Sequence, residues 1–559
     1  MERPEAGKVS VLTLIHGFSL RFIRGDIFGG LTSAVVALPL ALAFGVASGA
    51  GPIAGLYGAI FVGLFAALFG GTPAQVSGPT GPMTVVMAAV FVQYANDPAM
   101  AFTVVMLGGV FQILFGALGL GRYVSYLPFP VISGVMTAIG VIIIALQVAP
   151  FAGFENPAGG VLMTLVALPG MLSHPQWQAM ALGATALSIL IWTPEFVRRW
   201  VPPPLVALII GSLGAAHLFP EVAVIGEIPR GLPTLHLPSF DLHKLPGILR
   251  SALALAILGS IDSLLTSLIA DNITRTHHAP NRELVGQGIG NLVAGIMGGI
   301  PGAGATMRTV VNVRAGGRTP FSGALHSLVL LSLVVGLAPL VEHIPMAVLA
   351  GILLKVGWDI VDWDYLRLMR HAQAEGVMVM VTVFLLTVFI DLITAVGLGI
   401  ILTALLSAQR LSEAQLAQMK LADSETEAVP LNDTERALMT QAAGQILLLH
   451  MSGPFSFCSA KDMVKRMASL GSHYRVAVVD LTDVVTVDTS IIMAIREMFR
   501  QMQDRGMPVF VSGLGSPAVR ELVRMKVLDM LPQGQCHRDR ETALRDAVKY
   551  LDEPPGDKP

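Results

Sequence analysis

The stretch SGPTGPMTVV, residues 77–86, interrupts membrane-length hydrophobic sequence with glycine and proline, and GAGATMRTVV at residues 302–311 repeats its pattern. When Thr84 is aligned with Thr309, the two stretches lie about 225 residues apart and share the same Thr-Val-Val. Hydrophobic segments interrupted at matching positions in two halves of a membrane protein indicate a binding site built from broken helices. We therefore predict that each stretch is an extended segment that leads into a half-helix.

The composition is that of an integral membrane protein. The chain has 559 residues, of which 53% are hydrophobic and only 13% are charged. A net charge of -2 without a basic block gives no reason to expect nucleic acid as a partner. The two cysteines, Cys458 and Cys536, are too few for a disulfide framework or a zinc site. No nucleophile–base pairing, phosphate-binding loop or metal-ligand spacing is apparent, so we do not expect an enzyme.

Apolar runs predict fourteen spans between residues 30 and 409. With the N-terminus in the cytosol, the basic residues concentrate in the cytosolic connections, as the positive-inside rule requires. These residues are Arg122, Arg198, Arg199, Arg275, Arg282, Arg314, Arg318, Arg367 and Arg370. The two interrupted stretches then fall on the third span of each half, in opposite orientations. We predict a seven-plus-seven inverted repeat in the cell inner (plasma) membrane, with both termini in the cytosol.

The composition changes after Arg410 and divides the chain into four predicted parts. Residues 1–410 form the transmembrane domain, and residues 411–443 form a polar linker with one or two helices. Residues 444–552 form a small cytosolic α/β domain, and residues 553–559 form a tail. Within the third part, strands at 446–449, 476–480 and 509–511 alternate with helices near 490–504, 517–527 and 540–551, which predicts a mostly parallel sheet.

Asp262 is the strongest chemical signal in the membrane part. An ionised carboxylate facing lipid would cost about 3 kcal/mol or more, so Asp262 faces protein or water. Thr266 lies four residues later on the same helical face and offers a hydroxyl oxygen. Together with unwound backbone carbonyls, these groups can bind sodium, whereas the carboxylate alone can carry a proton. A structural Asp paired with an arginine or with backbone N–H groups is the alternative.

The predicted half-helix starts supply the opposite kind of site. Unpaired N–H groups near Thr80 and Gly81, and near Ala305 and Thr306, carry partial positive charge that suits an anion. The alternative is that the glycines only break the helices and allow close packing. Arg308 adds a cation at membrane depth, which either attracts the anion or pairs with Asp262. If the Arg308 side chain occupies the sodium position, we expect transport to be coupled to protons, or to proceed by anion exchange or as uniport.

Two further patterns are given structural interpretations. The segment GQGIG at 286–290 resembles part of a dinucleotide-binding fingerprint, but it lies within a span and no strand precedes it, so we predict helix packing. Asp271 and Glu283 fall at the ends of spans, where we predict interfacial positions.

The membrane part resembles the SulP (sulfate permease) anion transporters. The resemblance is carried by RGDIFGGLT at 24–32, ALP at 37–39, ALAFGVASG at 41–49 and both interrupted stretches. Within the family, GPTGPMTVVM at 78–87 and GAGATM at 302–307 are most similar to the sodium-dependent bicarbonate transporters. The C-terminal domain resembles the STAS domain through VAVVDL at 476–481 and VDTS at 487–490.

This resemblance implies a core and a gate domain that work by elevator-like alternating access. It implies a bicarbonate site near Thr80, Ala305 and Thr306, to which the residue-level argument adds Gly81 and Arg308. It also implies a sodium site, with sodium as the coupling ion. The sodium ligands it implies are Asp262, Thr266, Gly304, Ala305 and Thr306. Anion-exchanging members of the family often carry arginine at the position of Arg308, so exchange without sodium is the alternative that this residue implies.

For the STAS domain, the resemblance implies homodimerisation and regulation. In related soluble antagonists, a phosphorylated serine lies in a turn like that of Thr489 and Ser490. The simpler interpretation is that Thr489 or Ser490 caps the following helix. Homodimer contacts through the STAS domain, the membrane domain or both are expected.

The sequence therefore favours secondary active uptake of bicarbonate coupled to sodium. A proton-coupled or exchanging carrier of sulfate or dicarboxylate is the alternative within transport. A passive anion channel, or an anion sensor that signals through the STAS domain, is the alternative of another class. Two broken segments with an intramembrane Asp favour a carrier, because an anion pore needs no carboxylate in its path.

Overall fold

The chain forms two compact units, Met1–Ile400 and Ile401–Pro559. The computed structural model describes residues 19–552 except 96, 127, 156, 158–159, 174, 199–200, 226–232, 234, 240, 242, 391, 423–428 and 469–473. Arg199, in one predicted cytosolic connection, and the predicted tail 553–559 lie outside the described residues.

The first unit is helical, as the apolar runs predict. Its helices, through the one that begins at Leu392, are α1 (Ile23–Ala47), α2 (Pro52–Phe69), α3 (Gly81–Gln93), α4 (Pro98–Ala117), α5 (Phe129–Phe151), α6 (Gly160–Ser173), α7 (Trp177–Trp192), α8 (Glu195–Arg198), α9 (Pro203–Leu218), α10 (Leu245–Thr274), α11 (Pro280–Ile296), α12 (Thr306–Arg314), α13 (Pro320–Val341), α14 (Met346–Ile360), α15 (Trp363–Leu368), α16 (Ala374–Phe389) and α17 (Leu392–Ala417). Within the described residues, six helices are long and apolar enough to cross a membrane: α1, α2, α4, α5, α10 and residues 394–417 of α17. Shorter apolar helices accompany them, and the number of fourteen spans stays a prediction.

Proline fixes where many of these helices begin. Helices α2, α4, α11 and α13 each start with a proline, at Pro52, Pro98, Pro280 and Pro320. Proline suits the first turn because its missing N–H would have no partner within the helix there. The proline at the first position therefore determines where each of these helices begins.

The glycines of α11 allow close helix packing. An ideal Cβ atom at Gly286 would lie 2.4 Å from Gly70 N, and one at Gly288 would lie 2.5 Å from Gly109 O. No side chain fits at such distances, so only glycine lets α11 approach α2 and α4 this closely. The packing interpretation of segment 286–290 is confirmed.

The first unit contains two short strands, β1 (Ser77–Gly78) and β2 (Ala303–Gly304). The second unit contains a four-stranded sheet of β3 (Met419–Ala422), β4 (Ile446–Phe455), β5 (Val476–Val487) and β6 (Val509–Ser512), in that order. Strand β3 is antiparallel to β4, whereas β4, β5 and β6 are parallel. Its strands and helices are β3 (Met419–Ala422), α18 (Asp433–Gln441), β4 (Ile446–Phe455), α19 (Phe457–Ala468), β5 (Val476–Val487), α20 (Thr489–Asp504), β6 (Val509–Ser512), α21 (Pro517–Arg524) and α22 (Arg540–Asp552). Leu447 and Leu449 belong to one buried cluster and Ile446 and Leu448 to another, so the sheet is covered on both faces.

The predicted strands and helices of this unit are present, with two additions. The predicted linker 411–443 contains β3, which pairs with β4 from Met419 to Ala422. Four residues without a β-branched side chain carry little strand signal, so pairing with β4 specifies this strand. Helix α19 was also not predicted.

Candidate functional site at the crossed half-helices

The two interrupted stretches meet in the middle of the first unit. Two-residue strands β1 (Ser77–Gly78) and β2 (Ala303–Gly304) pair antiparallel, with Ser77 opposite Gly304. Half-helix α3 begins at Gly81 and half-helix α12 at Thr306, directly after these strands. The prediction of an extended segment followed by a half-helix is confirmed for both stretches.

We call the place where β1, β2 and the starts of α3 and α12 meet the crossing. Close glycine packing and side-chain hydrogen bonds stabilise it. An ideal Cβ atom at Gly302 would lie 2.5 Å from the carbonyl carbon of Gly78, so the two backbones touch directly. Asn291 accepts a hydrogen bond from Gly302 N at 2.8 Å and donates one to Gly302 O at 3.0 Å. Thr309 accepts one from Val76 N at 3.0 Å. The half-helix starts are therefore fixed relative to each other.

Both half-helix starts lack a capping side chain. The N-cap residues are Thr80 and Ala305, and no described side chain bonds to the first N–H groups of α3 or α12. The hydroxyl of Thr80 is buried and lies close to the Asp262 carboxylate, but it makes no hydrogen bond of normal geometry with the described residues. Uncapped N–H groups with positive dipole ends suit an anion, and the Thr80 hydroxyl can add a bond to it.

Oxygen atoms gather on the α10 side of the crossing. The Thr266 hydroxyl lies 3.0 Å from Gly304 O and 2.8 Å from the Thr306 hydroxyl. Ser263 ties α10 to β2 by accepting a hydrogen bond from Gly304 N at 3.0 Å. Asp262, one turn before Thr266, is buried, and its Oδ2 has no partner in the described part of the chain.

This donor set fits sodium. Carboxylate, hydroxyl and carbonyl oxygens at an unwound segment are the groups that bind sodium in transporters with broken helices. No cluster of three or more His, Cys, Asp or Glu side chains suited to a metal occurs among the described residues. The arrangement thus suits an alkali cation held by neutral oxygens and a single carboxylate.

Arg308 is buried beside the same crossing. Its Nη2 donates a hydrogen bond to Pro79 O, on the other interrupted stretch, whereas its Nη1 has no partner among the described residues. Asp262 and Arg308 interact electrostatically, but no ion pair joins them within the described residues. Of the two roles that the sequence allowed, direct pairing with Asp262 is therefore absent, and one side of the guanidinium remains for another acceptor.

The structure brings all the predicted site residues to this crossing. They are Thr80, Gly81, Asp262, Thr266, Gly304, Ala305, Thr306 and Arg308. At Gly81, an ideal Cβ atom would lie 2.6 Å from Ile360 and 2.9 Å from Ile143, so this glycine packs against α14 and α5. Gly81 can contribute only its backbone N–H to a ligand. The ligand assignments themselves stay predictions.

A buried hydrogen-bond network that was not predicted from the sequence lies behind the crossing. Glu283 is 1% exposed and accepts hydrogen bonds from Gly71 N at 2.9 Å, Gln75 at 2.9 Å and Gln287 at 2.8 Å. Gln287 also bonds to the Ser77 hydroxyl at 2.6 Å. Glu283 lies in the first turn of α11, at the end of the helix as predicted, but its side chain points inward and is buried in the protein, which the interfacial interpretation did not predict. The spacing of Glu283 and Gln287, four residues apart on one face of an apolar helix, was the available signal.

Helix α20 in the C-terminal unit is not capped by Thr489 or Ser490, contrary to the simpler interpretation. Thr489 and Ser490 are the first two residues of α20, and both are exposed. The N-cap is Asp488, whose Oδ1 accepts a hydrogen bond from Ile491 N at 3.0 Å. The interpretation that Thr489 or Ser490 caps the helix is therefore wrong, because α20 begins at Thr489 and the carboxylate of Asp488, one residue earlier, takes that role.

Residues 23–383 match the sulfate permease family. The chain belongs to the sulfate permease family. Residues 437–543 match the STAS domain. The chain is therefore a multi-pass membrane transporter of anions with a C-terminal STAS domain, and it is not an enzyme. The predicted family and domain are confirmed.

Relatives in the sulfate permease family cover nearly the whole chain. The bicarbonate transporters BicA of Picosynechococcus and Synechocystis are each 45% identical and cover 96% and 97% of this chain and 97% of their own length. A putative sulfate transporter of Bacillus subtilis, YvdB, is 32% identical over 71% of this chain and 76% of its own length.

Solved structures agree with the fold. The transmembrane domain of a cyanobacterial BicA is 51% identical, has a TM-score of 0.65 and covers 69% of this chain and all of that domain. The structure of SLC26A9 has a TM-score of 0.80 at 18% identity, over 97% of this chain and 93% of its own, and shows the shared fold.

Proposed function

We propose that this protein takes up bicarbonate together with sodium by alternating access. The observation that carries the proposal is that groups suited to an anion and groups suited to a cation lie together at the crossing. Arg308 Nη1 and the Thr80 hydroxyl are buried without a partner in the described part of the chain, and so is Asp262 Oδ2. The 45% identity to two proteins named as bicarbonate transporters supports this choice of anion.

Bicarbonate suits the positive side of the crossing. Its charge is matched by the Arg308 guanidinium and by the dipole ends of α3 and α12. A planar anion can accept parallel hydrogen bonds from a planar guanidinium, which a lysine could not provide. The ligands proposed for bicarbonate are Thr80, Gly81, Ala305, Thr306 and Arg308.

Coupling to sodium follows from the charge of Asp262. The carboxylate lies near enough to Arg308 for the two charges to interact, so it also repels an anion bound at Arg308. A sodium ion on Asp262, Thr266, Gly304, Ala305 and Thr306 would cancel that repulsion. Because Ala305 and Thr306 belong to both proposed ligand sets, the two ions lie side by side, and their opposite charges favour each other's binding.

An elevator-like movement is consistent with the packing around the site. Gly81 contacts α5 and α14 through the apolar side chains of Ile143 and Ile360. By contrast, β1 and β2 are tied to α10 and α11 by the hydrogen bonds of Ser263 and Asn291. The crossing can thus move with α10 and α11 as a core past α5 and α14 as a gate, since apolar contacts slide without breaking hydrogen bonds. We further propose a plasma-membrane location, a cytosolic STAS domain and a homodimer.

The test is uptake of radiolabelled bicarbonate by proteoliposomes that contain the full-length protein. We expect an inward sodium gradient to raise uptake above that in a choline gradient. Asp262→Asn should abolish the sodium effect, because the carboxylate is the single charged ligand of the sodium site. Asp364→Asn is the matched control, since the Asp364 side chain is 95% exposed. Equal uptake in sodium and choline, or wild-type sodium dependence in Asp262→Asn, would contradict the proposal.

Sodium-independent transport of sulfate, by exchange or with protons, is the second candidate. It is favoured by the buried cation Arg308, which can balance an anion without sodium, and by the 32% identity to a putative sulfate transporter. Competition of bicarbonate uptake by sulfate and fumarate, measured at several pH values and with internal counter-anions, distinguishes it from the first.

A further inference from the structure

A large apolar cavity lies in the first unit, apart from the crossing. Its volume is about 540 Å³, within the range of small-molecule sites. It lies between α4, α5, α10 and α17 and reaches the segment 120–126 that follows α4. Its walls include Phe115, Val131, Val135, Ile257, Leu392 and Val396.

The cavity offers almost no hydrogen bonds to a ligand. Among the described lining side chains, only Ser260 and Tyr123 carry polar atoms. The Ser260 hydroxyl donates to Ala256 O at 2.6 Å, within its own helix, and the Tyr123 hydroxyl accepts from Arg122 Nη2 at 3.2 Å. Water needs two to four polar partners, and an anion needs donors, so neither is suited to this space. The occupant must be apolar.

The surroundings of the cavity identify the apolar occupant. Helices α4, α5 and α10 are among the helices long and apolar enough to cross the membrane, so the cavity lies at the depth of the hydrocarbon. At one end, the exposed Arg122 guanidinium stacks over the Tyr123 ring at 5.0 Å from its centroid. Arginine and tyrosine at the end of a span are typical of the headgroup region, where arginine attracts lipid phosphate.

We propose that this cavity binds one acyl chain of an anionic phospholipid, whose headgroup phosphate lies at Arg122. Ser260 and Ile261, which line the cavity, directly precede Asp262 in α10. The acyl chain therefore packs against the helix that carries the proposed sodium ligand and separates it from α5 and α17.

Gly397 provides a variant that fills the cavity. This residue lines it, and an ideal Cβ atom at Gly397 would have no described atom within 4 Å. Gly397→Phe thus places a ring in the cavity without a backbone clash. Gly170→Phe is the matched control, because Gly170 is also helical, has equally open space in the described structure and does not line the cavity. Val396→Trp is a second filling variant, for use if Gly397→Phe does not fold.

The experiment uses the full-length protein in phosphatidylcholine liposomes with a minor fraction of phosphatidylglycerol that carries a photoreactive group at the end of one acyl chain. After illumination, mass spectrometry maps the labelled peptides. We expect labelling of residues 131–136 and 254–261, and about a fivefold loss of it in Gly397→Phe, because close-packed interiors do not hold two groups in one volume. Gly170→Phe should label like the wild type, and Arg122→Gln should weaken labelling by phosphatidylglycerol.

Two results would overturn the proposal. Labelling of these peptides that persists in a folded filling variant would show that the acyl chain lies elsewhere. Equal labelling by a phosphatidylcholine probe, unchanged by Arg122→Gln, would contradict the anionic headgroup. Folding of each variant is checked by its elution as a single symmetrical peak in detergent.

Discussion

Among the charged side chains buried in the described part of the chain, the cluster in the STAS domain and the cluster at the crossing are completed differently. In the STAS domain, Asp480 pairs with His450 at 2.8 Å and with Arg540 at 3.3 Å, and it accepts hydrogen bonds from Ser512 at 2.7 Å and Thr482 at 2.6 Å. Both carboxylate oxygens are satisfied. Arg540 also pairs with Glu435 at 2.8 Å, so this cluster is closed within the protein.

The membrane cluster is left open. Asp262 Oδ2, Arg308 Nη1 and the Thr80 hydroxyl are buried but have no partner among the described residues. A buried polar atom without a partner is costly, whereas a fully bonded network stabilises and rigidifies its surroundings. From this difference we propose that Asp480 serves the stability of the STAS domain, whereas transported ions supply the missing partners of Asp262 and Arg308. Substituting one residue of each cluster tests whether the membrane cluster serves transport and the STAS cluster serves stability.

The largest expected effect is that of Arg308→Gln on transport. Removing one partner of a buried charge interaction costs about 2 kcal/mol or more, so uptake should fall roughly 30-fold or more. The thermal stability of the protein should change little, because Gln keeps a donor for Pro79 O and the variant removes a buried charge that is incompletely paired. Proteoliposome uptake and thermal unfolding in detergent measure both quantities.

Arg314→Gln is the control for Arg308→Gln, since Arg314 lies on the same half-helix but is exposed. It should retain uptake. A loss of stability in Arg308→Gln with normal uptake would reverse the contrast between the two clusters.

Asp480→Asn should show the opposite behaviour. Loss of charge-assisted hydrogen bonds should lower the free energy of unfolding of the STAS domain by about 2 kcal/mol, with no change in the sodium dependence of uptake. Cys458 and Cys536, the two thiols of the chain, both lie in this unit. Their reactivity in increasing urea therefore reports its unfolding separately from the membrane part. Asp504→Asn, at a side chain of the same unit that is 73% exposed and lies outside the cluster, is the control.

A smaller effect is expected from pH. Burial alone raises the pKa of Asp480, but hydrogen bonds from His450, Thr482 and Ser512 outweigh it and hold this pKa below its usual range. Because the folded-state pKa is the lower one, the stabilisation is complete above the unfolded pKa of about 4 and is lost as the pH falls below it.

The free energy of unfolding of the STAS domain should thus fall on acidification below about pH 4, and less steeply in Asp480→Asn than in the wild type. Urea titrations read by a pyridyl disulfide, which reacts with thiols in acid, provide the measurement. Parallel pH profiles for both proteins would remove Asp480 as the cause.

The sequence predicted the open cluster better than the closed network beside it. A carboxylate at Asp262 and two glycine-rich stretches are unusual within apolar, membrane-length sequence. Each can therefore be recognised from the sequence alone. A glutamate at the end of a span, such as Glu283, is ordinary in a membrane protein. Only the folded structure shows that its side chain points inward to Gln75 and Gln287. Whether Arg308 pairs with Asp262 also depends on side-chain directions that no spacing fixes.

The STAS domain gives a similar lesson. Its central strands are runs of buried Val and Leu and were predictable, whereas β3 depends on its partner β4. The cap at Asp488 was missed because Asp, Thr and Ser in succession are all good N-cap residues, and backbone geometry decides among them.

Coupling between sodium and bicarbonate is measured most directly by the dissociation constant of bicarbonate for the purified full-length protein, at fixed pH, in sodium and in choline. If sodium completes Asp262 and removes its repulsion, bicarbonate should bind about tenfold more tightly in sodium, and Asp262→Asn should bind it equally in both. Equal affinity of the wild-type protein in sodium and choline would contradict the account.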